Sequence, residues 1–269
     1  MPKQQKNVPA EAENTAIVAG LSMEEMFADA SAGMKNIDHE DLALPFLKIV
    51  SGLDPLLDDH EEIRKGDIVN TVTLDVWKPE KGVLVIPCAY QRKFIRWAQR
   101  GSGTGAPVAI YDTEAECPKV IRSKEDNREY VQDETGDYIE RTAQWYVKVY
   151  DPDTGATTNA MIAMKSTQLK KSKKWMSMIM SRELKGPNGP FTPAMYSHIY
   201  KLTSQSEENS KGKWHGWEIS LHGQVPDAGV YNSAKAFHTS VEAGDVKVSH
   251  SQDDASNKND DINPDDVPF

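Results

Sequence analysis

The run Tyr90-Gln91-Arg92-Lys93-Phe94-Ile95-Arg96-Trp97 carries the densest chemistry in the chain. Side chains of an extended strand alternate between faces. Tyr90, Arg92, Phe94 and Arg96 therefore share one side, and Gln91, Lys93, Ile95 and Trp97 the other. Rings and guanidinium planes on one sheet face suit single-stranded nucleic acid: unpaired bases stack on them while the cations meet phosphates. The same pattern describes a half-buried strand whose aromatics are core and whose arginines extend along it to water. Both readings stay open on pattern alone.

A second cationic stretch, Ser166 to Met180, reads STQLKKSKKWMSMIM. At about 100° per residue, Leu169, Ser172, Met176, Ile179 and Met180 form one stripe, with Lys170, Lys171 and Lys174 on the opposite face. This predicts a helix that packs by its stripe and turns its lysines, Lys173 included, outward to solvent or to phosphates. The third feature is the end of the chain, Ser251 to Phe269, SQDDASNKNDDINPDDVPF. Six aspartates face Lys258 alone, a net charge of −5 before the terminal carboxylate. With few side chains to bury, the segment cannot offset its ordering entropy and is expected to be disordered. It is either a solvated acidic end or a recruiting element. In the second case Asp260, Asp261, Asp265 and Asp266 steer it to a basic surface, where Phe269 and its carboxylate seat beside a cation.

The net charge of −10 argues at first against nucleic acid. Its distribution does not, because local patches decide phosphate binding. Lys165 to Lys185 carries +6 and Lys78 to Arg100 carries +5, whereas residues 1–250 as a whole carry −5. Two cysteines suggest neither a disulfide framework nor a zinc site, and the seven histidines form no H-x-x-x-H pair, so no metal or cofactor is expected. No run of about 18 apolar residues is present. The N-terminus lacks an apolar signal core, so a cytoplasmic location is expected.

The elements that must position these residues are mainly strands. Residues 1–20 read as disordered. Ser22-Met23-Glu24-Glu25 is a capping box opening a short helix that carries Met23, Met26, Phe27 and Met34. Asp41 to Val50, broken by Pro45, reads as an edge strand or extended segment. Gly66 to Trp77 reads as one strand, and Val83 to Trp97 as another bent at Pro87. Gly101 to Gly105 is a flexible loop without the lysine of a P-loop. Residues 112–137 read as a surface excursion. Asp137 to Tyr150 and Ala156 to Met164 are strands joined by a turn at Asp151 to Gly155. Gly186 to Pro190 stops the basic helix. Tyr196 to Thr203 and Trp214 to Gln224 read as strands separated by a polar loop. Asn232 to Val241 is a closing helix, with Val230, Ala234, Phe237 and Val241 on one side.

Several stretches together resemble phage-encoded single-stranded DNA-binding proteins: DLALPFLKIV (41–50), IPCAYQRKFIRW (86–97), MKSTQLKKSKKW (164–175), the closing helix with Gly244-Asp245-Val246-Lys247, and the Phe-ended acidic tail. The resemblance implies a mainly β chain with packed helices. Its core would be an OB-fold-like five-stranded Greek-key barrel over residues 21–248, followed by a disordered acidic tail over 249–269. It also implies binding rather than catalysis: coating of single-stranded DNA in phage replication, recombination or repair, in the bacterial host cytoplasm. Tyr90, Arg92, Lys93, Phe94, Arg96, Trp97, Lys170, Lys171, Lys173 and Lys174 would hold DNA. Asp260, Asp261, Asp265, Asp266 and Phe269 would recruit a polymerase, helicase-primase or nuclease, with homo-oligomerisation open. A recombination mediator or strand-annealing protein would bind the same ligand. A metal-dependent nuclease is the rival from another class, since Pro152-Asp153 and Glu183-Leu184-Lys185 satisfy a loose Pro-Asp…Glu-x-Lys pattern. Its carboxylates would have to converge on a divalent cation.

Tail and DNA are both polyanions, and a tether holds the tail near the protein's own basic surface at about millimolar concentration. Truncation after His250 is therefore expected to strengthen single-stranded DNA binding severalfold at low salt, with the gain shrinking as salt screens the competitor. Titrations of the truncated and full chains at two salt concentrations measure this. An unchanged affinity would reduce the tail to a solubility device.

Overall fold

The computed structural model describes residues 22–30, 32–35, 37, 42–99, 101–102, 105–209 and 212–250. The chain divides into two compact units, Met1–Leu42 and Ala43–Phe269. In the first, helix α1 (Met23–Ala28) opens on the expected capping box. The Glu25 amide donates to Ser22 Oγ at 3.2 Å, and the Ser22 amide donates to the Glu25 carboxylate at 2.9 Å. Met26, Phe27 and Met34 are exposed.

The second unit begins with a small antiparallel sheet of β1 (Leu47–Ile49), β2 (Ile68–Asn70) and β3 (Val76–Trp77), with one helical turn, α2 (Leu56–Asp59), before β2. The single strand expected over Gly66 to Trp77 is instead a hairpin. Asn70 breaks it: its side-chain oxygen accepts from the Val72 and Thr73 amides at 2.9 and 3.0 Å, closing a turn.

The main sheet is antiparallel throughout and is built on β4 (Val83–Trp97). β8 (Tyr138–Tyr150) pairs along most of β4, and β9 (Thr157–Lys165) pairs with β8 across the expected Asp151 to Gly155 turn. On its other edge β4 pairs at one end with β12 (His198–Asn209) and at the other with β5 (Ala109–Tyr111). β13 (Gly212–Gln224) completes a long hairpin with β12, absorbing the polar loop expected between them. The 112–137 excursion is ordered as β6 (Val120–Arg122) and β7 (Glu129–Val131), which extend the sheet beside β8. β10 (Leu184–Gly186) and β11 (Gly189–Phe191) form a hairpin at the expected helix stop.

The sheet curls. Beyond β9 a parallel bridge joins Met161 to Phe46, and β1 touches both β9 and β13, the two ends of the strand series. A register shift between Pro87 and Ala89 bends β4, where proline has no amide to donate to the ladder. The result is a mainly β, half-barrel-like unit with few helices.

Helix α3 (Gln168–Met180) plugs the concave side. Trp175 is fully buried, stacks on Trp145 at 4.2 Å, and meets Tyr200 edge-on at 5.7 Å. Ser172 faces the same way and accepts from Trp145 Nε1 at 2.9 Å. The buried stripe is thus Ser172, Trp175 and Ile179. Met176 is half-buried and Met180 is 63% exposed, so the expected stripe is rotated toward the larger aromatic. Helix α4 (Ala228–Glu242) covers the opposite face, capped by Asp227, which accepts from the Val230 amide at 2.9 Å. Val230, Ala234, Phe237 and Val241 are buried, as their spacing requires, against Ile86, Ala89, Tyr146 and Met161. Among the described residues no helix is long and apolar enough to cross a membrane.

Replacing Trp175 with alanine removes a large buried ring and is expected to cost about 3–5 kcal/mol. Met180→Ala, on the exposed side, is expected to change stability by less than about 0.5 kcal/mol. Urea unfolding of both variants separates the two assignments of the helix face.

Candidate functional site

Tyr90, Arg92, Phe94 and Arg96 do share one face of β4, opposite Trp145, Ala143, Arg141 and Ile139 of β8. Their availability differs sharply. Phe94 is 3% exposed, in a cluster with Val131 and Ile139, and Trp97 is 4% exposed beside Ile95 and Tyr138. Trp97 Nε1 donates to Glu140 at 3.2 Å. Neither ring presents a face to a ligand, so the expectation that they stack on bases is corrected. Strands β5 to β7 cover Phe94 from a distance in sequence that no local pattern reveals. Arg96 is committed as well: its Nε donates to Asp137 at 2.6 Å, and its terminal nitrogen to Asp133 at 2.9 Å. Lys93 pairs with Asp112.

The lysine face of α3 is also partly consumed. Lys171 pairs with Glu207 at 2.8 Å and Glu218 at 3.4 Å, and Lys174 with Glu218 at 3.3 Å. Burial pushes the Lys171 ammonium down, but the two carboxylates outweigh it and hold its pKa above the ordinary lysine value. Both lysines join the helix to the β12–β13 hairpin, Lys171 largely covered and Lys174 still exposed. Lys170 is half-buried, whereas Lys173 is exposed.

What remains forms a compact arrangement. A groove of about 340 Å³ runs between β4 and α3, lined by Tyr90, Ser172, Lys173, Met176, Ser177 and Met180. Arg92, also exposed, lies two residues beyond Tyr90 on the same face, roughly 7 Å along the strand. Among the described residues neither Arg92 nor Lys173 has a carboxylate partner. The Arg92 guanidinium lies 5.9 Å from the Phe94 ring centroid, and that of Arg141 lies 5.3 Å from it. Phe94 thus supports two guanidinium groups from below. Among the described residues the carboxylate partner of Arg141 is the exposed Glu114, at 3.3 Å. It is the functional candidate that sequence reasoning passed over: only the β4–β8 register sets it opposite Phe94.

A smaller cavity of about 120 Å³ opens where β1, the start of α3 and β13 converge, bordered by Phe46, Lys48, Lys165, Trp214 and His215. Its lysines are paired, Lys48 with Asp54 at 2.8 Å and Lys165 with Glu140 at 3.4 Å. Pro152 and Asp153 lie in the β8–β9 turn, and Glu183 lies between α3 and β10. Among the described residues no three histidine, cysteine, aspartate or glutamate side chains are grouped to hold a metal ion. Asp260, Asp261, Asp265, Asp266 and Phe269 lie outside the described residues.

The segment leading to the tail continues along the α4 side of the sheet. Val246 and Val248 pack beside α4, and His250 reaches Gln144 at 2.7 Å and the Phe46 ring at 5.9 Å. Burial, with Lys165 and Lys93 nearby, pushes the His250 imidazole down to about 4. An undocked imidazole titrates near 6.5, so the docked form excludes a proton that the undocked form takes up. Docking of residues 246–250 is therefore fully favoured above about pH 6.5 and is lost as pH falls toward about 4. Amide hydrogen exchange of this segment, corrected for intrinsic rates, is expected to accelerate over that range. In a His250→Gln variant the pH dependence is expected to vanish.

No curated protein and no solved structure matches the chain. A family model described as Pam3 phage gp34-like protein matches residues 12–247, and the chain belongs to this family of phage proteins.

Proposed function

We propose that this phage protein binds single-stranded DNA, through a barrel of the OB type. Strand order supports the fold reading. β4, β8 and β9 run as a meander, and after α3 the chain returns so that β12 lies beside β4. The spatial order β12-β4-β8-β9 is the 4-1-2-3 order of a Greek key, and β13 supplies a fifth strand. The observation that carries the function is the groove where Tyr90 meets Lys173, with exposed Arg92 two residues along the same face of β4; among the described residues neither cation has a carboxylate partner. Among the described residues, β4 and α3 pair Lys93, Arg96, Lys171 and Lys174 with carboxylates yet leave Arg92 and Lys173 without one, near an aromatic and two methionines, which suits a ligand carrying phosphates and flat apolar groups.

On this reading Tyr90, Arg92, Arg141 and Lys173 carry most of the contact. Lys93, Arg96, Lys171 and Lys174 act mainly through the carboxylates that they hold. The protein coats single strands during phage replication, recombination or repair, and its acidic, Phe269-ended tail recruits replication enzymes. No catalytic step is assigned to it.

Fluorescence titration with a labelled single strand and its duplex tests the proposal. Single strands are expected to bind more tightly, with affinity falling as salt rises. Each lost phosphate contact removes about 0.7 from the slope of log K against log[salt]. The double variant Arg92→Ala/Lys173→Ala is therefore expected to flatten the slope by about 1.4. Equal affinity for duplex, or a slope unchanged in the double variant, would sink this assignment.

A further inference from the structure

Tyr90 is the outer end of an aromatic column. Its ring lies 5.0 Å from Trp145, Trp145 stacks on Trp175 at 4.2 Å, and Trp175 meets Tyr200 at 5.7 Å. The inner three residues are fully buried, so the column holds Tyr90 as a fixed wall while the ring remains half-buried at the groove. The facing wall is different in kind. Met176 and Met180 come from α3, and Met180 leaves 63% of its surface in water. Unbranched thioether chains adapt to flat partners and attract π surfaces. An exposed methionine opposite a supported tyrosine makes a slot with one rigid and one compliant side.

The rim of the slot is cationic and hydroxylic. Lys173 and Ser177 stand one helical turn apart on α3, Arg92 lies outside the lining but two residues beyond Tyr90 on the same strand face, and no carboxylate is among the lining residues. We infer that this slot takes a single unstacked base of the bound strand, with the adjoining phosphates on Arg92 and Lys173; the inference rests on the single-stranded DNA reading above. Cations on both the strand and the helix side suit phosphates that run past an inserted base. A base within a duplex is stacked on both faces and has no free face for Tyr90. An inserted base thus accounts for single-strand preference in a way that charge alone does not. The slot lies on the α3 side of the curled sheet, away from the face that α4 and residues 246–248 cover.

The test compares a labelled oligothymidylate with an abasic strand of equal length, which keeps every phosphate and lacks every base. The full-length protein is expected to bind the abasic strand on the order of tenfold more weakly, as loss of one stacked base requires. Tyr90→Leu and the double variant Met176→Ala/Met180→Ala are expected to lose that discrimination: affinity for the natural strand falls toward the abasic value, while abasic affinity and salt slope stay unchanged. The single variant Met180→Ala changes an exposed residue, so it reads the slot without the risk of unfolding. Equal binding of both strands by the unaltered protein overturns the base slot and leaves single-strand binding standing. Equal losses for both strands in the variants also overturn it. Absence of any single-strand binding overturns the slot together with the reading beneath it. A slot indifferent to bases that instead captures a Phe-ended acidic peptide, in a Tyr90-dependent way, would make it a peptide site.

Discussion

The stack of Trp175 on Trp145 is the contact on which the second unit depends. A curled antiparallel sheet with one concave side open would leave its inner apolar residues in water. α3 closes that side by seating one indole against the sheet, stacked on Trp145. Two aromatic rings in offset contact contribute about 0.5–1.5 kcal/mol beyond the area they bury. The stack also has a positional consequence. With Trp175 turned inward, Met176, Ser177, Met180 and Lys173 are aimed at the rim beside Tyr90. Core packing and groove composition are two sides of one helix orientation.

Electrostatics then selects which cations remain for a ligand. The chain is acidic overall, and its carboxylates fall where the basic segments fold. Asp112 meets Lys93, Asp133 and Asp137 meet Arg96, and Glu207 and Glu218 meet Lys171 and Lys174. The more exposed of these, such as Lys174–Glu218, contribute little stability, about 0–1 kcal/mol each. The larger effect of all these pairs is geometric. They tie the excursion of residues 112–137 to β4 and the β12–β13 hairpin to α3, fixing the walls around Arg92, Arg141 and Lys173.

The two sheet faces have separate roles. On one side α4 and residues 246–248 bury an apolar cluster, and His250 lies neutral near Lys93 and Lys165. On the other side α3 leaves the groove open. The strand that links them is β4, whose register shift at Pro87 sends Ile86 and Ala89 toward α4 while Tyr90 turns to the concave side.

Local patterns in the sequence were sufficient for the features that depend on near neighbours. The alternation of β4, the Asp151 to Gly155 turn, the Ser22–Glu25 capping box, the buried side of α4 and the charge of the tail all follow from spacing and residue type. Tertiary structure decided which of these features are available. Ser172, Trp175 and Ile179 compete with Ser172, Met176 and Ile179 as a helical stripe, and a helix alone satisfies either; the indole-sized space beside Trp145 chose the first. Alternation puts Phe94 and Arg96 on one face, but only the strands paired around β4 determine that Phe94 is covered and Arg96 neutralised. Arg141 meets Phe94 through a register set between residues 47 positions apart. A local period states which side chains share a face; what lies against that face is fixed by distant segments whose packing energy no short window contains.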